Sequence, residues 1–179
     1  MNLFVDTSNN YFIALIFNNK QIIDSIRMPS YQNQSELFYS ILPAFFKKNG
    51  IKVTDFDNYY FASGPGSFTG IRMGLSFAKA LCCSNIKNIF MINSLDILFD
   101  NYDDSKALID ARGGKYYVKV IDDKLFSETK IVDKDDLDDI DSYNTYETSL
   151  NNVFDNVINL VNMGRYEKEI KSTYIKESF

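Results

Sequence analysis

Three successive strand patterns at the start of the chain restrict the fold more than any other feature of the sequence. Residues 2–6, 11–17 and 21–28 are short runs of apolar, aromatic and β-branched side chains. Asn18-Asn19-Lys20, between the second and third runs, predicts a hairpin loop. We therefore expect the chain to begin with three antiparallel strands.

Helix and strand patterns alternate after these strands. Helices are predicted over 35–48, 71–83 and 94–101, and strand patterns occupy 58–62 and 89–92. The resulting order, β-β-β-α-β-α-β-α, is that of a ribonuclease-H-like lobe, the repeating unit of actin-like proteins. The sequence thus predicts an α/β fold with an actin-like first lobe.

A second unit begins near residue 105 and is less complete. Six aspartates occupy nine positions at 133–141, without the glycine and the closing glutamate of a calcium-binding EF-hand, and predict a solvated, mobile segment. One amphipathic helix is predicted over about 150–163. The strand patterns of this unit lie at 107–110, 116–121 and 125–132. The predicted division is a first lobe at 1–104 and a reduced second lobe, with a carboxyl-terminal helix and tail, at 105–179.

Composition excludes several kinds of active site. The sequence contains no histidine, which excludes histidine-based zinc sites, histidine general bases and Ser-His or Cys-His nucleophile pairs. Its net charge is −5, whereas a protein that binds RNA without the help of a partner usually has a positively charged surface. Cys82 and Cys83 are adjacent, so we expect buried free thiols in a reducing cytoplasm rather than a disulfide.

The segment 64–70, Gly-Pro-Gly-Ser-Phe-Thr-Gly, carries the strongest local signal. It joins a predicted strand to a predicted helix, and its three glycines permit positive φ and close backbone approach. The free amides at a helix start can hold an anion, but the Gly-Lys-Ser/Thr of a Walker A loop does not follow. From spacing alone, a tight structural turn and a phosphate site both stay open.

A stripe of small residues marks the helix that follows this segment. Gly70, Gly74 and Ala78 recur every four residues, and such a surface lets another element approach closely. The stripe can pack either on a partner helix or on the chain's own sheet, and we favour the partner helix.

The helix predicted over 35–48 carries a wide apolar surface. Phe38, Leu42 and Phe45 cannot all face inward together with Leu37, Ile41 and Phe46. We therefore expect part of this surface to be exposed, as is usual at a partner site.

Carboxylates stand at matching places in the two units. Asp6-Thr7-Ser8 ends the first strand, where a carboxylate can handle metal-bound phosphate. The same three residues are also common in simple turns. In the second unit, Asp110 and Arg112 occupy the matching edge and can pair across the lobes rather than contact a ligand.

Taken together, four segments resemble the TsaB (YeaZ) family. The sequence GPGSFTGIRMGLSFAKAL at 64–81 is similar to the hallmark segment of that family. FVDTS at 4–8, SELFYSILP at 35–43 and DARGGKYY at 110–117 follow the order and spacing of the family. The resemblance covers roughly residues 1–121.

This resemblance implies a noncatalytic, actin-like subunit that supports tRNA N6-threonylcarbamoyladenosine synthesis at adenosine 37. Its implied partners are the metal-bearing TsaD subunit and the small ATPase TsaE. The helices matching 35–48 and 71–83 would form the interface with TsaD or with a second copy. The implied interface residues are Leu37, Phe38, Ile41, Leu42, Phe45, Met73, Gly74, Phe77, Ala78 and Leu81. The implied motif loop and cleft comprise Asp6, Thr7, Ser8, Gly64, Gly66, Ser67, Phe68, Thr69, Gly70, Arg72, Asp110 and Arg112.

On this basis the isolated chain is expected to be cytoplasmic, to bind no metal or cofactor, and to meet tRNA only through the complex. Whether ATP or ADP binds at the complex interface, and whether the isolated protein is a homodimer, stay open. The sequence departs from the family at Gln34, where a histidine is frequent, and at Arg112-Gly113-Gly114, where Arg-Arg is usual. The second lobe is also expected to be shorter than in the family.

Three alternatives compete with a scaffold. An actin-like ATPase or small-molecule kinase would close a nucleotide between two full lobes, which the reduced second lobe disfavours. A metallopeptidase would need the histidines that the sequence lacks. A self-associating interaction module without a role in tRNA modification is separated from the scaffold by its failure to co-purify with a TsaD homologue.

We predict that the isolated chain has negligible affinity for tRNA at physiological salt. The net charge of −5 opposes binding to phosphates, which supply most of the affinity of RNA-binding proteins. An electrophoretic mobility-shift assay with the purified chain tests this prediction, and sub-micromolar binding without partners would contradict it.

Overall fold

The computed structural model describes residues 1–18, 21–30, 34–86, 88–100, 102, 105–171 and 173. The predicted hairpin residues Asn19 and Lys20 and the side chain of Gln34 lie outside this description. The strands are β1 Asn2–Asp6, β2 Tyr11–Phe17, β3 Ile22–Pro29, β4 Asn58–Ala62, β5 Ile89–Ile92, β6 Ser105–Arg112, β7 Lys115–Asp122, β8 Leu125–Phe126 and β9 Lys130–Asp133. The α-helices are α1 Gln34–Lys48, α2 Phe68–Cys83 and α3 Val153–Asn162.

The first five strands form one sheet in the order β3-β2-β1-β4-β5. The pairs β1–β2 and β2–β3 are antiparallel, whereas β1–β4 and β4–β5 are parallel. Strand β1 is buried on both faces, which explains why its sequence is a continuous apolar run rather than an alternation. The three predicted antiparallel strands are confirmed, and so is the alternation of helices and strands that follows them as far as β5.

Two apolar layers cover the two faces of this sheet. Helices α1 and α2 pack on one face, which strands β1 and β2 line with Leu3, Val5 and Phe12. On the opposite face, Phe4 and Ile13 share a core with α3 and with strands β6 and β7. The carboxyl-terminal helix, which we assigned to the second lobe, therefore packs in a core that both sheets share.

The second sheet has the order β6-β7-β8, and β9 also pairs with β7. It is smaller than the first sheet, as predicted. The strand predicted at 125–132 is divided into β8 and β9. Within the Asp-rich segment, Lys134–Asp136 and Ile140–Ser142 form short 3-10 turns, and its aspartates are exposed.

Several predicted helix boundaries need correction. Helix α2 begins at Phe68 rather than at residue 71, because the Ser67 hydroxyl caps the backbone N–H of Gly70 at 3.3 Å. The helix predicted at 94–101 is reduced to a 3-10 turn at Asp96–Leu98 in the described residues. A similar 3-10 turn forms at Ser149–Asn151, so α3 begins at Val153 rather than near residue 150.

No described helix combines the length and the hydropathy needed to cross a bilayer.

The exposed apolar patch predicted on α1 lies on different residues from those expected. Phe38, Leu42 and Phe45 are buried in the chain's own core together with Phe46. The side chains left at the surface of α1 are the half-buried Leu37 and Ile41 and the largely exposed Tyr39. The helical spacing of the apolar residues indicated that they cannot all face inward, but it did not indicate which of them face the sheet.

The stripe of small residues on α2 faces the chain's own sheet, contrary to our preference for a partner helix. Ala78 is fully buried, in the same cluster as Phe12 and Phe61. A Cβ built on Gly74 would lie 3.3 Å from the Thr7 hydroxyl oxygen. The small residues therefore let α2 approach strand β1. Met73 and Leu81 are also buried in this core.

The two cysteines are another correction. Cys82 and Cys83 are free thiols, as expected, but both are exposed rather than buried. They lie in the last turn of α2, one and two positions beyond the buried Leu81. The inward stripe of the helix therefore leaves both thiols at the surface.

We predict that Ala78→Arg unfolds the domain. A long charged side chain at a fully buried position has neither space nor a partner, and the expected cost exceeds about 4 kcal/mol. Ala80→Arg, at an exposed position of the same helix, is the matched control and should melt within a few degrees of the unmodified chain. Circular dichroism melting curves distinguish the two variants. A near-normal melt for Ala78→Arg would show that this face of α2 does not pack on the sheet.

Candidate functional site: the cleft between the two sheets

Asp6 lies at the carboxyl end of β1 and is completely buried. Its Oδ1 accepts a hydrogen bond from the backbone N–H of Ser8 at 2.7 Å, which forms a local Asx turn. Its Oδ2 accepts a further bond from the Asn9 side-chain amide at 3.0 Å. The turn interpretation of Asp6-Thr7-Ser8 therefore describes the observed geometry.

Tyr146 completes the environment of Asp6 from the other end of the chain. Its hydroxyl donates to Asp6 Oδ2 at 2.6 Å, and its ring is 5% exposed. Burial raises the pKa of Asp6, although the bonds from Tyr146, Ser8 and Asn9 oppose that shift. Burial and the adjacent Asp6 carboxyl together raise the pKa of Tyr146. The phenol is therefore held in its neutral, donating form.

Ser8 extends this hydrogen-bond network toward the glycine-rich segment. The Ser8 and Ser94 hydroxyl oxygens are 2.9 Å apart. The hydroxyl of Ser94 also accepts a bond from the backbone N–H of Gly64 at 3.1 Å. The network thus links the end of β1, the second residue after β5 and the start of the glycine-rich segment.

The glycine-rich segment packs directly on the turn after β1. The backbone N–H of Ser67 donates to the Ser8 carbonyl at 2.6 Å. Gly66 has a φ of +149°, and a Cβ built there would overlap the Ser8 carbonyl oxygen. The Thr7 hydroxyl donates to the Gly70 carbonyl at 2.7 Å. These contacts show why the segment needs glycine at Gly66.

An open cleft of about 730 Å³ lies beside this network, between the two sheets. The start of α2 lines one wall, and the end of β6 lines the other. Phe68 is 53% exposed at the rim, and the Arg72 guanidinium lies 4.0 Å from the centre of its ring. Thr69, also exposed, lines the same wall.

Asp110 and Arg112 also line the cleft. The Asp110 carboxylate accepts a bond from the backbone N–H of Arg112 at 2.6 Å, where Arg112 has a φ of +66°. Asp110 is therefore engaged in the turn at the end of β6, and this contact does not cross between the lobes.

The geometry limits what this site can do chemically. Asp6 meets donors from the chain on both of its oxygens and does not line the cleft, so the alternative in which this carboxylate handles a metal-bound phosphate is not supported by the geometry. Among the described residues, no three His, Cys, Asp or Glu side chains are grouped to hold a metal ion. The cleft has a mixed polar and apolar lining, to which Tyr146 contributes.

Sequence reasoning did not identify Tyr146 or Ser94 as members of this site. Tyr146 lies 140 positions from Asp6 in the chain, and Ser94 lies 86 positions from Ser8. In the sequence, Tyr146 stands in the polar stretch before the last helix. A tyrosine in such a stretch does not by itself indicate a buried side chain.

Two sheets lie on either side of a cleft, and the first sheet begins with three antiparallel strands that are followed by alternating helices and strands. This arrangement defines an actin-like α/β protein. The family described as "TsaD: tRNA N6-adenosine threonylcarbamoyltransferase" matches residues 29–165. The chain belongs to this family.

Solved structures share the fold across nearly the whole chain. YeaZ from Pseudomonas aeruginosa superposes with a TM-score of 0.72 at 14% identity, covering 97% of this chain and 99% of that chain. A second protein, described by its similarity to the peptidase YeaZ from Pseudomonas aeruginosa, gives 0.74 at 13% identity and covers 98% and 99%. At 13–14% identity these two superpositions show a shared fold over nearly the whole of each chain.

Curated relatives match over a shorter segment. The MG208 homologue of Mycoplasma pneumoniae, described as uncharacterized, is 34% identical over 96 residues, which are 52% of this chain and 49% of that protein. The uncharacterized protein MG208 of Mycoplasma genitalium is 32% identical over 82 residues, 45% of this chain and 42% of that protein. The chain spans about half the length of the curated relatives it matches.

We predict that Gly66→Ala destabilises the domain by about 3–5 kcal/mol, because the added Cβ would overlap the Ser8 carbonyl at a φ that favours glycine. Gly50→Ala is the matched control. Gly50 has a φ of +65° but no atom within 4 Å of the added Cβ, so its cost should be only about 1 kcal/mol. Urea denaturation measures both. Equal losses would mean that the glycine-rich segment does not pack on Ser8.

Proposed function

We propose that the chain is a noncatalytic subunit of the tRNA N6-threonylcarbamoyladenosine synthesis complex. In this proposal it binds a metal-bearing TsaD-type subunit and works with a TsaE-type ATPase. Membership of the TsaD family supports the pathway. The nearly end-to-end likeness to YeaZ supports the assignment of fold and subunit type.

The observation that carries the noncatalytic part of the proposal is the enclosure of Asp6. Hydrogen bonds from Ser8, Asn9 and Tyr146 converge on its two carboxylate oxygens, which are removed from solvent. A carboxylate that handles a metal-bound phosphate must present an oxygen to the ligand. Rearrangement of Tyr146 would be needed before Asp6 could do so.

The proposed partner surface is the outer side of α1 and α2. It consists of the half-buried Leu37, Ile41 and Phe77 together with the exposed Tyr39. Phe77 packs edge-on against Phe38, at a centroid separation of 5.2 Å, so this outer surface rests directly on the buried aromatic core. A rigid aromatic and aliphatic surface of this kind suits a stable protein interface. The deeper residues of α1 and α2 act by shaping the surface rather than by contacting the partner.

Reconstitution tests the proposed role directly. The chain alone should form no threonylcarbamoyladenosine from tRNA, threonylcarbamoyl-adenylate and ATP, whereas adding TsaD and TsaE homologues should give activity. Omitting the chain from that mixture should abolish or sharply reduce the activity. Modification by the chain alone would refute the noncatalytic role, and saturable ATP binding with turnover would favour the actin-like ATPase.

We predict that Ile41→Arg weakens association with the TsaD-type subunit by about 10- to 1000-fold, because a charge would be desolvated in the interface at a cost of roughly 1.4–4 kcal/mol. Since Ile41 is only half-buried, the arginine can extend to solvent in the isolated chain, which should stay folded.

Leu125→Arg is the matched control for this prediction. Leu125 is 75% exposed on β8, in the second sheet, away from α1 and α2. Isothermal titration calorimetry with the TsaD homologue measures both variants. Unchanged affinity for Ile41→Arg would remove the outer side of α1 from the interface, and an equal loss for Leu125→Arg would show a non-specific effect of charge.

A further inference from the structure

Two buried polar contacts join the first sheet unit to the second. One is the hydrogen bond from the Tyr146 hydroxyl to Asp6 Oδ2 at 2.6 Å. The other is the ion pair between Lys119 on β7 and Asp96 in the turn after β5. Lys119 and Asp96 are 7% and 4% exposed. Both contacts therefore lie in the interior, where solvent does not compete for their partners.

The segment that carries Tyr146 is itself fixed to the second sheet. Asn144 forms a parallel bridge to Ala107, in which its carbonyl accepts from the Leu108 N–H at 3.0 Å and its N–H donates to the Lys106 carbonyl at 2.7 Å. Tyr146 then reaches past β6 to the end of β1. This segment thus spans the inner end of the cleft from one sheet to the other.

Around the ion pair, the carboxyl-terminal segment adds a third element. Arg165 lies 3.5 Å from Asp96 Oδ2, and its guanidinium is 3.6 Å from the centre of the Phe126 ring. The Lys119 ammonium lies 5.4 Å from the same ring. Two cations, one carboxylate and one aromatic ring from four separate parts of the chain therefore meet at this point.

The apolar core continues between the two polar contacts. Ala107, Ile109 and Ile121 of the second sheet belong to the same buried cluster as Phe4 and Leu15 of the first. Relative movement of the sheets would separate these side chains and would break both contacts, which would take a donor from each of two carboxylates and leave a buried ammonium group and a buried phenol without these partners.

We infer that the two sheets form one rigid body whose cleft has a fixed width, set by the Tyr146–Asp6 and Lys119–Asp96 contacts. The cleft is therefore a preset groove and not a hinge that closes on a ligand. This inference does not depend on which partner the chain binds.

The width of the cleft can be measured by pulsed electron paramagnetic resonance on the full chain. Spin labels at Thr69→Cys and Asp141→Cys, both exposed and on opposite walls, report that width. The native thiols are first removed by Cys82→Ser and Cys83→Ser, two exposed positions. Circular dichroism establishes that each labelled protein is folded.

The test variant is Tyr146→Phe with Lys119→Met, which removes the hydroxyl and the ammonium group but keeps the ring and the aliphatic stem. The matched control is Tyr143→Phe with Lys130→Met. Tyr143 lies in the same segment but packs with Leu108 and Val118 of the second sheet, and Lys130 is exposed on β9.

The labelled parent and the control should each give one narrow distance peak, and the test variant should lose that peak in favour of a broader distribution shifted to longer distances. A broad or two-peaked distribution in the parent would overturn the inference, as would a narrow, unshifted peak in a folded test variant. If the double variant does not fold, Tyr146→Phe alone provides the comparison, because Asp6 then keeps the donors from Ser8 and Asn9.

Discussion

The burial of the Asp6 carboxyl group is the constraint on which the centre of this structure depends. A carboxylate removed from water needs donors supplied by the protein, since leaving it unpaired costs several kcal/mol. Here the donors come from the turn after β1 and from Tyr146 far along the chain. Satisfying one side chain therefore fixes the path of the backbone at residues 6–9 and the position of the segment that crosses the inner end of the cleft.

The same carboxyl group links stability to protonation. Because its pKa is raised by burial, the folded state holds the proton more tightly than the unfolded state does. Its contribution to stability is therefore fully present below the unfolded pKa and is lost as the pH rises through the folded pKa. The three donors reduce this loss by stabilising the ionised form, which explains why a buried carboxyl group at this position is compatible with a folded protein at neutral pH.

The glycine-rich segment follows from the geometry of that turn. The Ser8 carbonyl lies so close to Gly66 that a side chain there has no space, and Ser67 both donates to that carbonyl and caps α2. The start of α2 is thereby held against the end of β1, and Thr7 binds the first turn of the helix through Gly70. A segment that suggests phosphate binding when considered alone is largely explained by its contacts with the chain's own backbone.

Much of the first lobe could be predicted because local pattern and burial agree there. Strands β1, β2, β4 and β5 are apolar runs buried on the sheet, and their predicted bounds match the observed ones. Where one residue spacing fits two different packing arrangements, the sequence alone could not decide between them. Helical spacing revealed the stripe containing Gly74 and Ala78, but an inward and an outward stripe have identical spacing.

The site was less predictable because its contacts join distant parts of the chain. The Asx turn at Asp6 is local and was among the alternatives that the sequence left open. The donors Tyr146 and Ser94 depend on how the second unit packs on the first, and single residues in polar stretches do not indicate that packing. The same limit applies to the Lys119–Asp96 pair, whose members look like ordinary surface charges in the sequence.

The enclosed carboxylate and the proposed interface are physically related. Helices α1 and α2 pack their larger apolar side chains inward, onto the sheet whose central strand ends at Asp6. The network around Asp6 holds α2 through Thr7 and Gly70, while Phe38 and Phe77 join α2 to α1. A surface supported in this way loses little side-chain freedom when a partner binds, so more of the contact energy remains as affinity. The contacts that enclose the Asp6 carboxyl group therefore also support the proposed partner surface on the opposite side of the sheet.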